Sequence, residues 1–393
     1  MQAVTQHTPQ AKITEQTFID MGMWLTHPEQ HNSEQLITLL DEDARLPLIT
    51  LVNTYWLGGA LHNSLKKSNV WQTLDQELKD YLTELEQFYN QRNQGIKQEA
   101  IFACQILKDN DIPVVILKGS ASLFNGVFKP ISNRFMTDID LLVPEDKWQQ
   151  ATQLFHQHGY TQSLEELDNI GVNHHHAPPL FRQQGGHCCV ELHRWALKEK
   201  YKDILSTNDV WQQAINLPLS EDLAVLQMVP TQQILLTIAH SELSHTAYQD
   251  TIIDWRQLYN LAALVTTHGN QIDWQQVLVK FDNKDYLPVL HAHLFAAEKL
   301  LRLQTPIAAS NDLPQQHLAE CINLYVKRQS GSEKYGHIKK VLNGYGAESI
   351  LIVYGNKGRF PLLVGRLKHF YHHLNKLIRP KYVKRLIQRI KNS

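Results

Sequence analysis

The chain has little that would carry it across a membrane, staple it in an oxidising compartment or give it an overall charge of one sign. It has four cysteines, Cys104, Cys188, Cys189 and Cys321, and none forms a CxxC pair. That excludes a disulfide scaffold and fits a reducing cytoplasm. No apolar run approaches the roughly 18 residues of a membrane span. Met1 to Gln16 is polar and lacks the charged and apolar regions of a signal peptide. Neither sign of charge is in excess: 38 Lys and Arg stand against 39 Asp and Glu, so the global charge names no partner. There is no internal repeat and no low-complexity tract. What remains is a chain of 393 residues with 43% hydrophobic content, long enough for a sizeable core and two or three domains. Its 21 histidines are scattered, and a count alone is not a site.

The hydrophobic period divides the chain. Thr17 to Gln94 reads mostly as helix, with Leu74, Leu78, Tyr81, Leu82 and Leu85 at helical spacing. A further helix is expected from Ile96 to Asp109, with Gly95 interrupting or weakening the pattern. Ile112 to Leu117 is a strand, Ala121 to Val127 a short helix, and Thr137 to Val143 a second strand. Pro144-Glu145-Asp146 opens a helix over Lys147 to His158. His176 to Arg182 and His187 to His193 read as a hairpin about Gln183-Gln184-Gly185-Gly186. Beyond Tyr201 the helical period is expected to return and stay, over Gln232 to Leu243, Thr251 to Thr267 and Trp274 to Phe281.

Chemistry concentrates in two short stretches. In Asp138-Ile139-Asp140 the carboxylates sit two apart in an apolar strand, so both point to one face. They repel each other unless a divalent cation sits between them, and Mg²⁺ favours this hard-oxygen arrangement, shared with water and substrate phosphates. Lys118-Gly119-Ser120 ends the preceding strand, where a glycine lets backbone N–H groups approach an anion. Glu191, on the later hairpin, is a third carboxylate that could converge with the other two on one or two metal ions. The plainer reading of the aspartates is a solvated pair on an edge strand, and of Glu191 an exposed hairpin carboxylate.

The ordered set resembles the nucleotidyltransferase superfamily of DNA polymerase β. It is most similar to the bacterial family labelled uncharacterised nucleotidyltransferase. The likeness rests on Leu117-Lys118-Gly119-Ser120, on Arg134 ahead of Asp138-Ile139-Asp140-Leu141-Leu142-Val143, and on Val190-Glu191-Leu192-His193-Arg194-Trp195. It extends to Ala239-His240, His245 and Ile253-Asp254. The resemblance implies an α+β fold: a small mixed β-sheet core flanked by N-terminal helices and a C-terminal helical domain. The expected divisions are an N-terminal helical region over 1–94, the core over 95–200, a helical domain over 201–305 that forms the facing wall of a cleft, and a C-terminal helical region over 306–393. It further implies transfer of an NMP group from an NTP, with Mg²⁺ or Mn²⁺ as cofactor and release of pyrophosphate. Asp138, Asp140 and Glu191 would be the catalytic metal ligands, with Glu191 alternatively a base toward the acceptor. Gly119 and Ser120 would hold the triphosphate, with Lys118 and Arg134 as phosphate partners. His193, His240 and Asp254 are candidate substrate contacts, against the plainer reading of core histidines and a helix-end carboxylate.

Two other patterns compete for attention. His174-His175-His176 with His187, Cys188, Cys189 and His193 offers zinc ligand types, but no pair has the usual short-loop spacing. From Arg366 to Lys391 there are nine Lys or Arg and no Asp or Glu, interleaved with apolar residues such as Leu374, Leu377, Ile378 and Leu386. That segment suits an anionic membrane surface, an acidic partner, or packing on the body with a solvated basic face. No strong nucleic-acid motif appears. The acceptor, whether small molecule, protein or RNA, is not written in the sequence. A non-catalytic nucleotide-binding protein on the same fold, and a toxin or defence effector with the same chemistry, are the rival readings. A cytoplasmic protein, peripheral to the membrane if the tail binds it, is the expected location.

Overall fold

The computed structural model describes residues 13–29, 37, 39–41, 45–162, 175–282, 285–309 and 311–329. The basic segment 366–391 and His174 lie outside the described residues.

Helices dominate the described part of the first hundred residues, as the apolar period requires: Glu15–Thr26, Leu46–Thr54, Gly58–Leu65 and Gln76–Lys108. The last of these is a single helix of 33 residues rather than two. Asp75 caps it by accepting from Leu78 N–H at 2.9 Å. Leu78, Leu82, Tyr89, Ile96, Ala100, Ala103 and Leu107 bury one stripe along it. Gly95 does not break the helix. It is buried there because the imidazole of His187 packs against it, 2.5 Å from where a Cβ would stand.

Among the described residues one mixed sheet of seven strands follows: β1 (Val115–Ile116), β2 (Asp138–Leu142), β3 (Tyr160–Gln162), β4 (Leu180–Arg182), β5 (Cys189–His193), β6 (Ile215–Pro218) and β7 (Ala224–Gln227). Their order is β3-β4-β5-β2-β1-β7-β6. β2 pairs parallel with β5 and β1 parallel with β7, while the other neighbours run antiparallel. Ile139, Leu141, Val190 and Leu192 are fully buried on one sheet face. They share a core with Ile96, Ala100 and Leu107 of the long helix and with Ala151 and Phe155 of the helix Trp148–Gln157. The opposite face of β2 and β5 is left to Asp138, Asp140, Glu191 and His193.

Several expectations need correction. The helical period does not persist beyond Tyr201, because β6 and β7 form a hairpin that joins the sheet through β1. Leu217 and Val225 are buried while Asn216, Pro218 and Ala224 are exposed, an alternation too short to stand out from the apolar background. β3 also escaped, since three residues give no period. The helix after β1 runs Lys118–Ser122, not Ala121 to Val127. The strand expected over His176 to Arg182 is regular only at Leu180–Arg182, with His176 making an isolated bridge to His193. The helix expected from Gln232 begins at Pro230, ends at Ile238 and continues as a π-helix over Ala239–Ser244. The next helix is Trp255–His268, and Trp274–Phe281 stands as expected.

Buried polar side chains on the long helix position the segment before β2. Asn93, fully buried, donates to the carbonyls of Ile131 (2.8 Å) and Arg134 (2.6 Å) and accepts from Met136 N–H at 3.3 Å. Arg92 Nε donates to Met136 O at 2.8 Å. Gly59 lets the helix Gly58–Leu65 approach the same segment: an added Cβ would lie 2.1 Å from Ser132 O. At the other end of the sheet, buried Glu99 takes both Arg182 Nε (3.0 Å) and Nη2 (2.6 Å) as well as the Tyr160 hydroxyl. Among the described residues no helix is long and apolar enough to cross a membrane.

Arg182→Met would leave the Glu99 carboxylate buried without its cation, a change that costs about 3–5 kcal/mol. Urea unfolding followed by far-UV circular dichroism should show the corresponding drop in midpoint.

Candidate active site

The register of the central strands builds the site. Asp140 on β2 is directly paired with Glu191 on β5, Asp138 with Cys189, and Leu142 with His193. Because paired residues share a face, Asp138, Asp140, Glu191 and His193 line up on one side of the sheet. Asp140, Glu191 and His193 each offer a ligand atom, and these lie within 4.8 Å of one another.

Asp140 is the most enclosed of the carboxylates, at 2% exposure. Its Oδ1 accepts from Lys118 Nζ at 2.7 Å and from His193 Nε2 at 2.8 Å. Burial alone would raise its pKa, but Lys118 and His193 outweigh it and hold the carboxyl well below the usual carboxylate range. For Glu191 burial likewise pushes up, and His193, 3.6 Å away, with His176 at 3.8 Å, brings the net shift below the ordinary value. At Asp138 the balance goes the other way: burial, Asp140 and Glu191 push it up and outweigh Lys118 and the Thr137 hydroxyl. His193 itself is raised, since its bonds to the two carboxylates outweigh burial and the nearby Lys118.

Above these groups lies a cleft of about 320 Å³. Lys118, Gly119, Arg134, Asp138, Asp140 and Glu191 line its sheet side, and Gln233, Thr237, His240, His245, Arg256 and Asn260 line the other. The sequence-predicted residues therefore divide. Lys118, Gly119, Arg134, Asp138, Asp140, Glu191 and His240 come together in the cleft. His193 is fully buried beneath Asp140 and Glu191. Ser120 is also fully buried, and its hydroxyl turns to β2, accepting from Asp140 N–H at 3.0 Å. Asp254 caps the helix Trp255–His268, accepting from Gln257 N–H at 3.2 Å. It lines a separate cavity of about 20 Å³ with Glu242, His293, His317 and Cys321.

Gly119 has a second use that the motif does not announce. The Arg134 guanidinium packs on it, with Nε and Nη2 each 2.6 Å from where a Cβ would stand. Arg134 Nε and Nη1 are buried without a hydrogen-bond partner among the described residues. Burial and the charge of Arg256 push the guanidinium down to about 10. Two arginines near each other in a cleft, one with unmatched donors, suit an anion of high charge. His240 is held neutral by burial, Lys118 and His245. Its ring lies 4.2 Å from that of His245 at the end of the π-helix, a form of backbone frequent at functional sites.

Sequence reasoning missed Lys198 and Phe135 as cleft residues, because neither lies in a motif and the folded loops bring them there. The donor set fits a hard divalent cation. Carboxylate oxygens from adjacent strands converge, and an ammonium already sits against one of them. Of the histidines and cysteines considered for zinc, only His193 belongs to this described group.

In chelator, the Asp138 carboxyl binds its proton more tightly folded than unfolded. Its contribution to stability is therefore present at low pH and lost as pH rises through its elevated folded pKa. Asp138→Asn should remove that loss, so that the variant melts higher than wild type above the ordinary carboxylate range and converges with it in acid. Thermal melts across pH 3 to 7 (about the carboxylate range) give the comparison.

No curated protein matches the sequence. A family model does, over residues 43–302, which include every strand of the sheet and both walls of the cleft. That match covers well over half of the chain, and the protein accordingly belongs to the family described as uncharacterised nucleotidyltransferase, a family of transferase enzymes.

Proposed function

We propose that the protein moves a nucleoside monophosphate from an NTP to an acceptor hydroxyl or phosphate and releases pyrophosphate, using Mg²⁺ or Mn²⁺. The observation that carries this reading is the pairing of Asp140 with Glu191 in register, on the face that also carries Asp138, at the floor of a cleft with cations on its walls. In this reading Asp138, Asp140 and Glu191 hold the metal. When bound, divalent ions there supply neutralisation of triphosphate charge and activation of the attacking oxygen. The acceptor oxygen bonds to the α-phosphorus, the bond to the bridging oxygen breaks, and pyrophosphate leaves. Lys118 and Arg134 take phosphate oxygens, the latter through its unmatched buried donors. Gly119 makes room for that guanidinium, and Ser120 acts from behind by fixing the β2 backbone at Asp140. His193 orients Asp140 and Glu191 rather than touching substrate. His240 is the candidate substrate contact on the facing wall, and Asp254 acts through the helix it caps.

A division into N-terminal helices, core, facing helical wall and C-terminal region belongs to the same proposal, with the core running past 200 to the end of β7, since β6 and β7 complete its sheet. Its support is that the wall opposite the sheet comes from residues 228–264. A cytoplasmic location, and contact of the 366–391 segment with an anionic membrane or an acidic partner, rest on sequence alone.

The test is transfer of label from each α-labelled NTP, with Mg²⁺ or Mn²⁺, into a cell extract, followed by separation of protein, RNA and small molecules. Label in one fraction identifies the acceptor class. Asp138→Asn and Asp140→Asn should each cut transfer roughly 10³-fold or more with an unchanged circular dichroism spectrum. Full transfer by the double variant would overturn the metal assignment.

A further inference from the structure

The cleft carries its own cation, and it sits on the oxygen a metal would need. Asp140 Oδ1 accepts from Lys118 Nζ at 2.7 Å while also accepting from His193 Nε2. The two partners differ in freedom. His193 is fully buried and fixed by the sheet, whereas the Lys118 side chain keeps 18% of its surface exposed and lines the cleft. Lys118 also has φ of +50°, in the left-handed region that residues other than glycine enter at a cost. From that backbone the side chain reaches Asp140. A Mg²⁺ ion at about 2.1 Å from the same oxygen would be brought to within about 5 Å of the ammonium. Both cannot stay without mutual repulsion in a poorly solvated site. The lysine stem is long and flexible, and Arg134 and Arg256 mark an anion-binding region in the same cleft.

We propose that Lys118 is the resident counter-ion of the metal site, displaced from Asp140 by the divalent ion and transferred to the triphosphate, so that metal and nucleotide enter as one coupled event. This rests on the reading of Asp138, Asp140 and Glu191 as a divalent-cation site. The exchange conserves ion pairs: Asp140 trades an ammonium for a metal, and the ammonium trades a carboxylate for a phosphate. Without nucleotide the lysine has nowhere to go, so the site binds metal weakly. With nucleotide it has an anion waiting.

Mn²⁺ binding followed by electron paramagnetic resonance tests the exchange without reference to activity. Without nucleotide, Lys118→Met should bind Mn²⁺ about tenfold tighter than wild type. An equimolar mixture of the four non-hydrolysable α,β-imido nucleoside triphosphates should tighten Mn²⁺ binding in wild type far more than in Lys118→Met. In the nucleotide-free titration alone, Arg256→Met, which removes the same charge from a cleft residue with no ion pair among the described residues, controls for charge and should shift affinity less than about twofold. If Lys118→Met leaves Mn²⁺ affinity unchanged or weaker, or Arg256→Met matches it, the exchange is overturned while the metal site stands. If wild type binds no Mn²⁺ with or without the analogues, the metal reading itself falls. Should Lys118→Met fail to fold, Lys118→Gln replaces it, and ¹⁵N spectra of lysine ammonium groups in wild type decide. The Lys118 signal should move when Mg²⁺ and the analogues are added together, and a signal that stays in place overturns the exchange.

Discussion

Mutual repulsion among carboxylates held on one face of a parallel strand pair is the constraint around which the rest is arranged. β2 and β5 are locked in register by backbone hydrogen bonds, so Asp140 and Glu191 cannot move apart. Burial on the other sheet face fixes the same register, because a shift of one residue would drive Ile139, Leu141, Val190 and Leu192 out of the core. The repulsion must then be met by cations. Lys118 and His193 meet it at Asp140, and His193 with His176 at Glu191. At Asp138 burial together with Asp140 and Glu191 outweighs the cation, and its carboxyl is the one of the three pushed up.

Much of the remaining architecture serves to hold those cations and the strand they face. Ser120 ties the turn after β1 to the backbone of Asp140, so Lys118 and its partner belong to one rigid corner. The long helix Gln76–Lys108 reaches the same corner from behind through Asn93 and Arg92, which seat the segment carrying Arg134. Such buried side-chain bonds to loop carbonyls carry weight because the alternative is an unsatisfied polar group in the core. The facing wall contributes His240, His245 and Arg256, from a helix that loosens into a π-turn and from the one that follows it.

The sequence made the helical N-terminus, the two strands about Asp138 and Glu191, and the hairpin turn between β4 and β5 legible. Each has either a sustained period or a Gly-rich turn between apolar runs. It misplaced the strands β6 and β7, since four-residue strands with one buried face barely differ from a helical stripe. It left open whether Gly95 interrupts or merely weakens the long helix, because the imidazole of His187 that fills the space beside that glycine comes from 92 positions away.

At the site, residue types and order brought Asp138, Asp140 and Glu191 forward as candidates; strand alternation, a local rule, put the two aspartates on one face, and the register of β2 and β5 sets Glu191 beside them. The local chain also dictated that Gly119 must be small. It could not say for whom, and the tertiary structure supplies the Arg134 side chain. Nor could it say that Ser120 faces backwards, that His193 lies beneath the carboxylates, or that Lys118 rests on Asp140. Those facts depend on which strands become neighbours and in what register. That choice is made by burial of apolar residues distant in the chain, not by the motifs themselves.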